Sequence, residues 1–146
     1  MQIIYNARGS LYVSPAPLEK DLIKEKFDID QFDIIWNLAA ELAHYAEWEQ
    51  KYASLVLLGN VKDYRSPHDE VGFLNQLEQV VECLKKGGRV LVHCLGGQGR
   101  TGTAVALILN RLEGFSVQEC LKIAREQCQG PEVDEQITFV KDHCNR

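Results

Sequence analysis

An α/β fold is the class this sequence predicts, a single domain in which a mostly parallel central sheet is flanked by helices on both faces. Three observations carry it. Short apolar, β-branched runs alternate with longer stretches whose apolar residues recur at helical spacing. No Pro/Gly/Ser-rich linker and no internal repeat interrupts the 146 residues. With 45% hydrophobic and 25% charged residues, the chain has the composition of an ordinary globular domain and the length for one substantial core. In sheets of this kind the ligand sits at the carboxyl ends of the strands.

The elements follow in order. Ile3 to Ser14 reads as a hairpin turning near Arg8-Gly9, and a helix is expected after Pro17. Ile34 to Leu38 reads as a strand with Trp36 in the core, preceded by Asp28, Asp30 and Asp33 in a solvated turn. Glu41 to about Tyr52 reads as a helix, near whose end Trp48 and Glu49 either pack or line a substrate cleft. The run Leu55-Val56-Leu57-Leu58 is the next strand, and Asp69 is placed to cap a helix with the stripe Val71, Leu74, Leu77, Val81 and Leu84. Arg89-Val90-Leu91-Val92-His93 reads as a short buried strand and Thr101 to Leu112 as a helix. Ser116-Val117-Gln118-Glu119 resembles a capping box opening the penultimate helix, and Gln136 falls early in the last one.

Between the Arg89–His93 strand and the Thr101 helix lies Cys94-Leu95-Gly96-Gly97-Gln98-Gly99-Arg100. The glycines let consecutive amides turn inward, and the helix that follows aims its unpaired N–H groups and positive dipole end at the same point. Such a concavity binds anions. Arg100 adds a planar, permanently charged fork that fits two phosphate oxygens. The field that holds a phosphate also favours thiolate over thiol, which makes Cys94, at the head of the loop, a candidate nucleophile for phosphate esters. A nucleotide-binding loop would require Lys where Arg100 stands, and the alternative for Cys94 is a buried structural cysteine.

His93-Cys94, five residues, then Arg100-Thr101-Gly102 resembles the signature of the cysteine-dependent protein-tyrosine and dual-specificity phosphatases. The small size resembles the dual-specificity branch and its compact archaeal-type relatives. The resemblance implies the phosphatase-like α/β fold and phosphoprotein hydrolysis through a phosphocysteine intermediate, on phosphotyrosine first and with phosphoserine and phosphothreonine as further substrates. It implies Leu95, Gly96, Gly97, Gln98, Gly99 and Arg100 as the phosphate cradle and Thr101 as a hydroxyl beside the sulfur, while His93 reads either as a support of the backbone around Cys94 or as a satisfied core histidine at a strand end. It also calls for a carboxylic acid some 30 residues upstream. Asp63 in Asn60-Val61-Lys62-Asp63-Tyr64-Arg65-Ser66-Pro67 matches that acid, directly after a predicted strand, with Asp69 as the fallback. Gln136, in Val133-Asp134-Glu135-Gln136-Ile137, matches the glutamine that positions the hydrolytic water. Two departures stand out: Lys62 where the family usually has Pro, and Gln129-Gly130-Pro131 where many relatives carry Arg-Pro-Gly. The alternatives are removal of phosphate from RNA 5′ ends or phosphoinositides by the same chemistry, or a phosphate-reading module without turnover. Lipid-directed members tend to carry lysines in the loop, whereas Leu95 to Gln98 is uncharged.

No cofactor and no metal is called for, and His44, His68 and His143 have no partners at metal-ligand spacing. A net charge of −5 does not favour nucleic acid, so the expected partners are phosphorylated proteins or peptides and phosphate-like anions, met by a monomer. Five cysteines without a pairing pattern suggest a reducing compartment, and neither a signal peptide nor a membrane-length apolar run is seen, which together point to the cytoplasm. Cys83, Cys120 and Cys128 lie on helical patterns and read as core or half-buried, with a disulfide to oxidised Cys94 as the lesser reading.

Overall fold

The computed structural model describes residues 1–96 and 98–145, with residues 27–29 described by their backbone alone. Its sheet has five strands: β1 (Gln2–Tyr5), β2 (Ser10–Ser14), β3 (Phe32–Ala39), β4 (Ala53–Val61) and β5 (Arg89–His93), in the spatial order β1-β2-β5-β3-β4. β5 is central and runs parallel to both β2 and β3, with His93 level with Ser14 on one side and Asn37 on the other. Val90, Leu91 and Val92 are fully buried, so neither face of β5 meets water and its apolar run is continuous instead of alternating. β4 extends the parallel set at one edge, and β1 closes the other edge as the antiparallel arm of the expected hairpin.

Helices cover both faces, as the alternating pattern requires. α1 (Glu19–Ile29) and α2 (Ala46–Glu49) lie on one side, where Leu22, Tyr52 and Trp48 pack on Tyr12, Phe32, Ile35 and Leu91. On the other side lie α3 (Glu70–Lys85), α4 (Gly99–Glu113), α5 (Val117–Cys128) and α6 (Asp134–His143). α4 is the most enclosed of these. Ala104, Leu107 and Ile108 face the sheet and α3, while Val105, Ala106 and Leu109 face α5 and α6. Each leucine so buried contributes about 2–3 kcal/mol of transfer free energy, which holds α4 in place for whatever its first turn must do. α4 ends at Gly114, whose φ of +68° is the left-handed position that glycine adopts without cost. The caps on neighbouring helices are side chains: Asp69 Oδ1 accepts from Gly72 N at 3.0 Å at the head of α3, and Ser116 Oγ accepts from Glu119 N at 3.2 Å at the head of α5.

Three details differ from the sequence reading. The stretch from Glu41 to Tyr52 is not one helix: a 3₁₀ segment covers Ala40–Tyr45, broken at Leu42, before the short α2. Asn37 Nδ2 takes the Leu42 carbonyl at 2.7 Å, an acceptor that a continuing α-helix would need, and the bend carries Glu49 inward. β4 runs well beyond Leu55–Leu58, because its pairing with β3 continues from Phe32↔Ala53 to Ala39↔Val61. Asp33 is not in a solvated turn but accepts from the Arg89 amide at 2.8 Å, tying the start of β3 to the start of β5; Asp30 ends α1, and the Asp28 side chain lies outside the described residues. Trp36 is a core residue whose Nε1 donates to Gln76 Oε1 at 2.8 Å. Among the described residues no helix is long and apolar enough to cross a membrane.

Candidate active site

β5 ends at His93, and the chain leaves the sheet between β2 and β3 with Cys94 just beyond the strand. The connections from β2 and β3 lead to α1 and α2 on one face, whereas the chain from β5 leads to α4 on the other, leaving a crevice at the carboxyl ends. The loop is strutted from three sides. The Ala16 amide donates to the Leu95 carbonyl at 2.8 Å, Gln98 Nε2 to Gln129 Oε1 at 3.1 Å, and the Gly99 amide to Glu132 Oε1 at 3.1 Å. Leu95 and Gly96 are exposed at the rim, and Gly97 lies outside the described residues.

A side chain at 99 would have to displace the tips of two others. A Cβ there would stand 2.8 Å from Gln136 Oε1 and 3.0 Å from Glu132 Oε1. No side chain of the loop caps α4, so its first amide is free to face an anion, and the Glu132 carboxylate takes that place. In the same turn Thr101 Oγ1 donates to Cys94 Sγ at 3.1 Å, with both residues buried. A hydroxyl donor at this distance stabilises negative charge on sulfur.

Arg100 is 2% exposed and enters the crevice from the first turn of α4. Its Nη1 donates to both oxygens of Glu41, at 2.5 and 3.1 Å, and to the Val61 carbonyl at 2.9 Å. Its Nη2 lies 3.5 Å from Asp63 Oδ1. The Asp63 side chain is 53% exposed and follows the end of β4 by two residues, with Oδ1 also accepting from the Tyr64 amide at 3.1 Å. Tyr64 itself holds φ at +60°, a conformation costing a non-glycine residue about 1 kcal/mol or more, and its ring stands exposed at the mouth. Asp69, the fallback acid, is occupied as the cap of α3.

Gln136 is buried behind Gly99. Its Oε1 accepts from the Glu132 amide at 3.1 Å and its Nε2 donates to the Arg65 carbonyl at 3.3 Å, so it joins the segment before α6 to the Asp63 loop. On the opposite side of the loop, His93 Nε2 lies 2.7 Å from Glu49 Oε2 and His93 Nδ1 lies 3.2 Å from the Cys94 carbonyl. Glu49 does not line a cleft; it is completely buried, with Asn37 Nδ2 at 3.2 Å from its other oxygen.

Cys94, Arg100, Asp63 and Glu132, with Tyr64 and Leu95 at the rim, line a cleft of about 210 Å³. The loop residues Gly96, Gln98 and Gly99 complete its lining, and the Thr101 hydroxyl meets the sulfur. His68 is in a neighbouring cleft of about 650 Å³ with Lys62 and Arg65, His44 is exposed on the 3₁₀ segment, and His143 packs on Phe139. Glu41 and Glu132 escaped the sequence reading because neither lies in or beside the Cys94 motif, and Glu49, expected either to pack or to line a cleft, packs. Glu41 alone left a signal, a carboxylate two residues past the carboxyl end of a central strand. All five thiols are free. Burial, with the nearby Cys94 adding to it, pushes the Cys128 thiol up to about 12; hydrogen bonding to Cys144 and burial push Cys120 up, while the same hydrogen bond pulls Cys144 down.

This geometry has relatives. A family model described as PTP-SAK, Swiss Army Knife protein, DSP-PTPase phosphatase domain, matches residues 14–142. Tyrosine-protein phosphatase CDC14 of Candida albicans is 42% identical over 45 residues, 30% of this chain and 8% of that protein. Dual specificity protein phosphatase 22-A of Danio rerio is 36% identical over 62 residues, 42% of this chain and 30% of the relative. The matches thus span less than a third of either curated protein. Among solved structures, Tk-PTP in its active form superposes with a TM-score of 0.74 at 30% identity, covering 95% of this chain and 92% of that one.

Proposed function

Because the chain belongs to the DSP-PTPase phosphatase-domain family described as PTP-SAK, we propose that it hydrolyses phosphate monoesters on proteins, phosphotyrosine first, through a phosphocysteine intermediate. One observation carries the reading. Cys94 Sγ, the Arg100 guanidinium and the Asp63 carboxyl converge on a single 210 Å³ cleft at the carboxyl end of β5, with the Thr101 hydroxyl 3.1 Å from the sulfur.

In the first step the Cys94 thiolate attacks phosphorus in line. The S–P bond forms as the ester P–O bond breaks, and Asp63, entering as the acid, gives its proton to the departing oxygen. The loop amides and Arg100 hold the three peripheral oxygens, Arg100 exchanging its contact with Asp63 for one with phosphate. In the second step water attacks phosphorus and passes a proton to the Asp63 carboxylate, the S–P bond breaks, and the Thr101 hydroxyl receives the returning thiolate. Gln136 stands behind Gly99 and orders that water by holding the Asp63 loop and the 132 segment together. Most of the rate enhancement is positioning and charge stabilisation. Leu95 at the rim carries no charge, which favours a protein substrate over a phosphoinositide, and the free thiols suit a reducing cytoplasmic setting in which the chain acts as a monomer.

The test is hydrolysis of p-nitrophenyl phosphate and a phosphotyrosine peptide from pH 4 to 8 with EDTA present. Wild-type turnover, no turnover by Cys94→Ser and slow turnover by Asp63→Asn without its limb for loss of the acid are expected. A wild-type chain that binds vanadate but never turns over would replace the enzyme with a phosphate-reading module.

A further inference from the structure

Two thiols that the cleft does not use meet on the far side of α4. Cys120 lies on α5 and is fully buried, while Cys144 follows the last residue of α6, half-buried and with extended backbone. Asn110, buried on α4, brings them together. Its Nδ2 donates to the Phe115 and Asn145 carbonyls, both at 2.9 Å, and its Oδ1 accepts from the Asn145 amide at 2.7 Å. One side chain thus clamps the turn before α5 to the chain after α6. Cys120 Sγ lies 3.5 Å from that same Phe115 carbonyl, and Cys144 immediately precedes Asn145. The two sulfurs are hydrogen-bonded to each other, and both pack in the apolar cluster of Val105, Leu109 and Val140.

We propose that Cys120 and Cys144 are a modification site at which a hydroperoxide closes a disulfide joining α5 to the end of α6. The site is separate from Cys94, whose sulfur accepts from Thr101, and it does not rest on the phosphatase reading. The two sulfurs have different roles. The hydrogen bond from Cys120 pulls the Cys144 thiol down, with Arg111 adding to it against the effect of burial, whereas the same hydrogen bond and burial push Cys120 up. Cys144 is therefore the thiolate, and its half-buried position lets a small oxidant reach it. Its sulfur attacks one peroxide oxygen as the O–O bond breaks, giving a Cys144 sulfenic acid; the departing oxygen takes up the proton that Cys144 lost on ionising. Cys120 sulfur then attacks Cys144 sulfur, the S–S bond forms as the S–O bond breaks, and the Cys120 proton leaves with the hydroxide as water. Two thiols have lost two electrons and two protons, and hydrogen peroxide has become two waters. The bond closes residues 120–144 into a loop that contains Glu132 and Gln136, so the segment resting on Gly99 is tethered at both ends.

The test treats the intact chain, freed of reductant, with hydrogen peroxide, blocks the remaining thiols with iodoacetamide in denaturant, and maps the tryptic peptides by mass spectrometry. The expected product is residues 112–122 joined to residues 142–146, two hydrogens lighter than the free pair and separated by dithiothreitol. Cys94→Ser is expected to form it as the wild type does. In that background, where the Cys94 sulfur cannot react, oxidation is expected to raise the urea midpoint by about 1 M. Adding Cys144→Ser, a change at a half-buried position, is expected to abolish both the joined peptide and the rise. Peroxide that leaves the two peptides separate, or joins them only between different chains, overturns the proposal. A chain that forms the joined peptide yet hydrolyses no phosphate ester would sink the phosphatase reading and leave this site standing.

Discussion

Glu132 shows what single side chains do in this cleft. Its carboxylate accepts the Gly99 amide at 3.1 Å, so the first amide of α4 already has an anion on it. A phosphate entering the loop must displace that oxygen and then face its charge a few ångströms away, at a cost of about 1 kcal/mol near a protein surface. Glu132→Gln is therefore expected to strengthen competitive inhibition by inorganic phosphate about fivefold, measured as Ki at pH 6 to 7; an unchanged or weaker Ki would show that the carboxylate does not compete. Cys94, Arg100 and Thr101 were legible in the sequence because one turn of loop and helix holds all three within eight residues, so adjacency alone determines their meeting. Glu132 was not, since it meets Gly99 across 33 residues through the packing of α5 and α6 on α4. Asp63 stands between these cases, visible because the end of a strand predicts where it points.

Among the elements, α4 and the segment before α6 are the pair on which the site depends. They approach so closely at Gly102 that a Cβ there would stand 2.3 Å from the backbone carbonyl of Gly130. Backbone cannot yield as a side-chain tip does, so Gly102→Ala must push residues 130–136 outward, taking Glu132 and Gln136 with them. Overpacking of this kind costs about 1–3 kcal/mol. Gly102→Ala is expected to lower the urea midpoint accordingly and to reduce kcat while Cys94 still alkylates; wild-type stability would refute the close approach. Strands and long helices were readable from periodicity because burial on both faces leaves a continuous apolar run in β5 and burial of one face leaves a stripe through Leu77, Val81 and Leu84 in α3, although Val71, expected in that stripe, is exposed. The 41–52 region misled for the opposite reason. Its residues are competent helix formers, and the bend is imposed by Asn37 from another strand, a tertiary contact that local propensity does not contain.

Over the whole molecule, the helical layer that buries the cysteines also makes folding sensitive to alkali. Cys128 keeps its proton in the folded chain up to about pH 12, chiefly because it is buried, and gives it up near pH 8.5 when unfolded. Between those values the unfolded chain binds fewer protons than the folded one. Stability is then complete below about pH 8.5 and falls as pH rises toward 12, with a limiting slope of about 1.4 kcal/mol per pH unit for one such group. Urea midpoints in reductant at pH 7.5, 9 and 10.5 are expected to fall less steeply for Cys128→Ala than for wild type; parallel curves would show that Cys128 contributes nothing. The layered α/β architecture behind this was foreseeable from alternation alone, whereas which cysteine lies deepest depends on how α5 rolls against α4.

The placement of Glu41 and Asp63 on the Arg100 guanidinium, and of Glu132 on the Gly99 amide, also governs how a substrate arrives. Seen from the bulk solvent, the doorway is guarded by three anions on a protein of net charge −5, even though its innermost wall is cationic. A phosphate dianion approaching from a distance climbs a repulsive potential before it meets the short-range attraction of the loop. Dissolved ions flatten that outer hill more than the buried well behind it, so capture at low substrate should quicken as ionic strength rises toward the physiological range.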